Sequence, residues 1–123
     1  MRLRLLPILA IALTATLGVA GCGPSLPTEP AGIEGLAASV DRSAGGGQLT
    51  VLVEVPKGVD ATGFVSDKAS VRVLPETLVF APDGSEGDVD LIEPGVGIRV
   101  WFEGPVAESY PVQGTASAVQ VAP

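Results

Sequence analysis

From residue 33 onward, apolar positions recur at every second residue, and a 3.6-residue period is nearly absent. In QLTVLVEV, residues 48–55, Leu49, Val51, Val53 and Val55 share one parity, as in a strand with one face buried. Ile33–Val40 is a strand candidate ahead of it, and Arg42–Gly47, RSAGGG, is a turn. Gly45, Gly46 and Gly47 could cradle a phosphate, but no helical pattern follows them, so the spacing predicts a hairpin tip. Val71 and Val73 mark a third strand ending near Leu74, where Pro75 breaks it. Thr77–Phe80 reads as a short extension or a separate strand. Val96, Ile98, Val100 and Phe102 share one face of a fourth strand, and Thr115–Ala122 forms a fifth with Val119 and Val121 on one side. Pro56–Asp67 and Ala81–Gly95 connect them as loops.

Five strands in about 90 residues predict an all-β domain over 33–123, and a chain of that size can bury a core without staples. The expected architecture is a small five-stranded Greek-key barrel of the OB type, with a small sandwich or an SH3-like barrel as the second choice. Closing the sheet removes edges that would otherwise pair with other chains.

The segment before this domain has a different character. Residues 22–32, CGPSLPTEPAG, carry Pro24, Pro27 and Pro30, which block helix and central strand alike. They predict a stiff, extended tether. Within residues 1–21, Arg2 and Arg4 precede an apolar run, Leu5–Leu13, and a stretch of small residues, Thr14–Ala20. The run is shorter than the ~20 apolar residues of a membrane span and reads as a secretory signal. Its end, Leu17-Gly18-Val19-Ala20-Gly21-Cys22, resembles a bacterial lipobox. That resemblance implies cleavage before Cys22, a diacylglycerol on its thiol, and a domain lipid-anchored to the membrane, facing the periplasm or the cell exterior. The competing reading is an uncleaved anchor with a free thiol.

Composition narrows the chemistry. The chain of 123 residues has no His and a single Cys. Zinc sites built from Cys and His, an internal disulfide, and nucleophiles activated by His are therefore excluded. The chain carries 7 basic and 14 acidic residues; loss of Arg2 and Arg4 leaves 5 basic residues, and a net charge of −9. Such a surface lacks the cations that displace counterions from phosphate, so no nucleic acid partner is expected. It also repels anionic lipid heads, leaving attachment to the lipid on Cys22.

Three constellations could carry function. PDGSEGDVD, residues 82–90, offers Asp83, Ser85, Asp88 and Asp90 to a hard cation. The EF-hand spacing fails: counting from Asp83, the sixth residue is Asp88 where Gly is needed, and the twelfth is Pro94. Asp-Gly and Glu-Gly are ordinary turn pairs, so a solvated loop is expected and no metal is assigned. Glu93, Glu103 and Glu108 are expected near one barrel end, where paired carboxylates could hydrolyse a glycoside. Only three Phe, one Trp and one Tyr are present, which leaves little to wall a substrate cleft. A dyad of Ser109 with Lys57 or Lys68 has weaker support still.

The third constellation is WFEGPVAESYPVQ, residues 101–113. Trp101 has the parity of Arg99 and Glu103, opposite the apolar set, and should point away from the core. There it either anchors a partner or, as is expected, lies under the 81–95 loop or against the Arg99 stem. Gly104-Pro105 should end the fourth strand by Glu103, and Pro111 should hold Tyr110 extended. Tyr110 is expected to lay its ring over the open barrel end, with Ser109 or Glu108 satisfying nearby amides. Trp101, Ser109 and Tyr110 are the candidate binding residues.

The C-terminal stretch DLIEPGVGIRVWFEGPVAESYPVQGTASAVQV resembles the closing segment of the YobA-like family, small secreted bacterial domains of unknown function. The matching features are Gly95 or Gly97, Val100, Gly104, Glu108-Ser109-Tyr110-Pro111 and Ala116–Val121. The resemblance implies an OB-like barrel on an exported, often lipidated protein, and no established chemistry. The resulting expectation is a membrane-tethered, non-enzymatic, cofactor-free β-domain that binds or supports another envelope component. The alternative is a calcium- or small-ligand-binding module using the acidic 82–93 loop.

Overall fold

The computed structural model describes residues 23–122. Six strands follow in chain order: β1 (Ile33–Gly45), β2 (Gln48–Glu54), β3 (Lys68–Val73), β4 (Leu78–Phe80), β5 (Gly97–Phe102) and β6 (Val112–Val121). A single 3-10 turn, Val89–Leu91, interrupts the loop before β5. Among the described residues no helix is long and apolar enough to cross a membrane.

The strands pair in the order β3-β2-β1-β5-β6-β4, and a further pairing of β3 with β6 closes the sheet. Strands β1, β2, β3, β6 and β5 thus form a five-stranded barrel. All its pairings are antiparallel except β3–β6, which is parallel. This is the OB-like barrel expected from the alternating pattern, with β4 as an added short strand. β4 runs parallel to the second half of β6, Leu78 opposite Ala118, while β3 occupies the first half of the same edge, Arg72 opposite Thr115.

Two strands exceed their expected limits. β1 continues to Gly45 as an exposed ribbon with β2, and its tip turns on Gly45, Gly46 and Gly47, all at positive φ (72, 66 and 80°). The three glycines form a hairpin tip, as the missing helix signal implied. β6 starts at Val112, three residues before the apolar alternation becomes visible. There Val112 is buried, Gln113 is exposed, and Gly114 lies where a Cβ would meet the Phe102 ring at 2.7 Å. A glycine at an inward position hides the period of a strand.

Bulges explain the parity changes. β1 slips register between Ala37 and Ser39, which lets its first half pair with β5 and its second with β2. β6 slips between Ala116 and Ala118, opposite Phe102 and Trp101. The inward set then changes from Val112 and Ala116 to Val119 and Val121. Ser117, the extra residue, donates its hydroxyl to the Trp101 carbonyl at 3.2 Å.

The barrel core is aliphatic: Ile33, Leu49, Val51, Val53, Val71, Val73, Ile98, Val100 and Val119 are all but inaccessible. Each such side chain contributes roughly 1.5–3 kcal/mol of burial. Ile92, from the loop before β5, joins the same core. A second, smaller cluster lies outside the barrel wall: Trp101, Phe80, Ala118 and Ala31, with Leu26 and Leu78 packed against it. It is the outward face of β5 and β6, covered by β4 and by residues 26–31.

Candidate functional site

Trp101 points away from the barrel core, as its parity required, yet only 6% of it is exposed. Neither expected cover is the one found. The ring packs with Phe80 of β4 and with Ala31 and Leu26 of the Pro-rich segment, and its Nε1–H donates to the Glu29 carbonyl at 2.9 Å. Arg99 turns instead to Glu34 (3.8 Å) and to Gln120 (3.2 Å). Burial removes Trp101 from the surface as a partner anchor. The segment expected to stand off as a tether therefore lies on the barrel over residues 26–31. Cys22 and residues 1–21, expected to be a secretory signal, fall outside the described residues.

Tyr110 is the opposite case. It was expected over the barrel end, but 66% of it is exposed. Its peptide bond to Pro111 is cis. The Lys68 ammonium sits 5.7 Å from the ring centroid, within cation–π reach. Hydrogen bonding to the Asp67 carboxylate, with smaller contributions from desolvation and the Asp67 charge, raises the phenol pKa above its ordinary value. Ser109 donates its hydroxyl to the Pro111 carbonyl at 2.8 Å rather than satisfying an amide, so it is not paired with a lysine. Lys68 approaches Glu54 at 4.0 Å.

The carboxylates do not converge. Glu93 precedes β5 and Glu103 follows it, so they lie at opposite ends of a six-residue strand, roughly 20 Å long at ~3.3 Å per residue. The expected gathering of Glu93, Glu103 and Glu108 at one barrel end is overturned, because a strand carries its two flanks to opposite ends. In the acidic loop Asp83 and Asp88 serve their own turns. Asp83 accepts from the Ser85 amide (3.0 Å) and hydroxyl (2.6 Å), and its pKa is lowered chiefly by the side-chain bond. Asp88 accepts from the Asp90 amide at 2.8 Å, capping the 3-10 turn, and Asp90 faces Arg42 at 3.9 Å. Among the described residues no three acidic, Cys or His side chains come together as a metal site.

What the fold does assemble is a groove of about 430 Å³ beside the parallel β3–β6 seam. Its floor is the outward parity of two strands, Ser70 and Arg72 from β3 beside Gln113 and Thr115 from β6. Its wall is the β5–β6 connection, with Glu103 and Pro105 in the lining. Backbone bonds hold that wall upright: Glu103 N–H donates to the Thr115 carbonyl at 2.8 Å, and Ala107 N–H to the Gln113 carbonyl at 2.7 Å. The stretch 101–113 is thus a folded flap leaning on β6 rather than a plain crossing. Lys68 precedes Ser70 on the same face of β3, and its ammonium lies against the Tyr110 ring.

Arg72 is the charged group of the floor. Its NH2 lies 3.4 Å from Thr115 Oγ1, and among the described residues no carboxylate comes within ion-pair distance of it. Of the groove's lining, only Glu103 had been singled out from sequence, and for paired-carboxylate chemistry rather than binding; Ser109 and Tyr110 belong to the flap but not to the lining. Ser70, Arg72, Gln113 and Thr115 are scattered over two strands 43 positions apart, and only the β3–β6 register unites them.

Residues 49–122, from the start of β2 to the end of the barrel, match the model of a protein family of unknown function, DUF3221. No curated protein and no solved structure matches significantly.

Proposed function

We propose that this chain, which belongs to the DUF3221 family of proteins of unknown function, is an exported binding module held on a bacterial membrane by lipid on Cys22. The lipobox-like Leu17–Cys22 supports the anchor, and the YobA-like stretch ending at Val121 agrees with export. In this reading the domain performs no catalysis; it captures another component of the envelope. The observation that carries the reading is the groove on the β3–β6 seam. A closed barrel with a polar strand face and a folded loop beside it is the arrangement through which OB barrels hold their ligands, an analogy at the level of fold. The acidic balance of the chain disfavours the nucleic acids that many such barrels take.

Affinity capture of the full chain from detergent-solubilised native envelope tests this. The wild type should retain a specific component. Gln113→Arg places a long side chain in the groove at an exposed position, so the fold should survive and the component should be lost. Equal capture by both proteins would refute the groove as the binding surface. Mass spectrometry of the membrane fraction checks the anchor: the expected species begins at Cys22 with acyl chains attached. An unmodified species beginning at Met1 would overturn it.

A further inference from the structure

We propose that the groove on the β3–β6 seam takes a carboxylate-bearing glycan, with Arg72 on the carboxylate; the proposal rests on the reading of the groove as a binding surface. Three observations point to this chemistry. The first is closure of the sheet. A peptide that binds by strand addition needs a free edge, and here β3 and β6 spend their facing backbone groups on each other. The groove therefore offers side chains rather than a backbone ladder.

The second observation is the kind of side chain it offers. Ser70 and Thr115 carry hydroxyls, Gln113 an amide, and Glu103 a carboxylate that accepts from hydroxyl groups. Polar positions along one strand repeat roughly every 6.6 Å, and the neighbouring strand supplies a second row ~4.8 Å away. A ligand dense in hydroxyls can bond to both rows, whereas an apolar ligand would strip water from these groups without return. Tyr110, exposed at the end of the same face beside Lys68, presents a ring on which a sugar can lie.

The third observation is Arg72. Three of the described carboxylates pair with other cations, Asp90 with Arg42, Glu54 with Lys68 and Glu34 with Arg99, while Glu103 lines the same groove without an ion pair to Arg72. Arg72 is left facing the groove with only the long contact to Thr115. Its planar fork matches a carboxylate in two parallel bonds. The net negative charge of the whole chain opposes an anionic ligand, but exposed charges beyond ~8 Å are largely screened at physiological salt. The groove's own lining carries one cation, Arg72, on the floor and one carboxylate, Glu103, on the wall. The carboxylate of the ligand goes to Arg72, while Glu103 accepts from its hydroxyls.

Nuclear magnetic resonance titration of the domain with tetragalacturonate, and in parallel with neutral chitotetraose, tests the proposal. Tetragalacturonate should shift the amides of residues 70–72 and 113–115 saturably, and at least ten times more tightly than chitotetraose. Arg72→Gln, at an exposed position, should keep the fold and abolish that preference. Equal affinity for the two sugars, or a preference unchanged in Arg72→Gln, would overturn carboxylate recognition by Arg72. Binding of neither sugar would overturn the glycan class. If an envelope component is then still captured in a Gln113-dependent way, the binding-surface reading stands while this one falls. If tetragalacturonate binds as described but nothing is captured, this inference stands and the envelope-partner reading falls.

Discussion

Replacing Trp101 with alanine removes the centre of the outer cluster, and its cost follows from what the ring touches. The indole is nearly buried among Phe80, Ala31, Ala118, Leu26 and Leu78. Truncating a buried Trp to Ala costs ~3–5 kcal/mol in transfer and cavity terms. Its hydrogen bond to the Glu29 carbonyl is worth ~1 kcal/mol. The lower half of that range is expected, because residues 26–31 end at the surface and can partly collapse into the space. At ~4–8 °C per kcal/mol for a domain of this size, the melting temperature should fall by at least ~12 °C. Trp101→Phe keeps most of the apolar contact but loses the N–H donor, so it should cost ~1–2 kcal/mol. Urea unfolding followed by far-UV circular dichroism reads both variants, and Trp101, being the only Trp, reports on itself in the wild type. Its emission should be blue-shifted and poorly quenched by acrylamide, then shift red in a chain lacking residues 23–31. A wild-type ring that is fully quenchable, or a loss below ~1 kcal/mol in Trp101→Ala, would refute the docking of the Pro-rich segment.

Four further outcomes are expected. Gly35→Ala places a methyl group against the Glu54 carbonyl in the β1–β2 crossing, where neither backbone can yield cheaply, and overpacking of this kind costs ~1–3 kcal/mol by denaturant titration. Tyr110→Ala should change stability by less than ~0.5 kcal/mol, since the ring is mostly exposed; a thermal melt checks it. The single Tyr titrates alone in the ultraviolet: its folded-state pKa is raised, so its contribution is full below the unfolded value near ~10 and lost as pH rises through the folded value. Asp67→Asn should bring that midpoint down. Asp41, Asp60 and Asp83 have lowered pKa values from hydrogen bonds to Ser43, Thr62 and Ser85, so their contributions are present above the unfolded value near ~4 and fade as pH falls through the folded values. Melting temperatures measured down that acid limb should flatten in Asp83→Ala, and an unchanged limb would count against the Ser85 hydrogen bonds.

Trp101 and Tyr110 show how residue type misleads when cover is unknown. Parity alone placed Trp101 on the outward face, correctly, because successive side chains of a strand alternate by geometry. Its cover is a different matter. Leu26, Glu29 and Ala31 come from a segment whose prolines rule out helix and central strand but leave open what the segment touches. Tyr110 was expected to be buried because it is aromatic and pinned by Pro111. Yet the flap leans on β6 through Ala107 and Gln113, which turns the tyrosine outward over Lys68.

Taken alone, the sequence determined the all-β class, the positions of β2, β3 and β5, and the hairpin tip at Gly45–Gly47, because each depends on neighbours in the chain: alternation, a proline break, a glycine run. It excluded as well the chemistry that requires histidine, since composition does not depend on folding. Tertiary structure alone decided the rest. The early start of β6 is hidden by an inward glycine, and Ile92 enters the core from a loop. Glu93 and Glu103 part to opposite ends of β5. The groove exists only because β3 and β6 lie side by side in one register, bringing Arg72 to Thr115 across the intervening chain. Pairing between distant strands is set by closure of the whole barrel, a cooperative property that no local pattern of residues encodes.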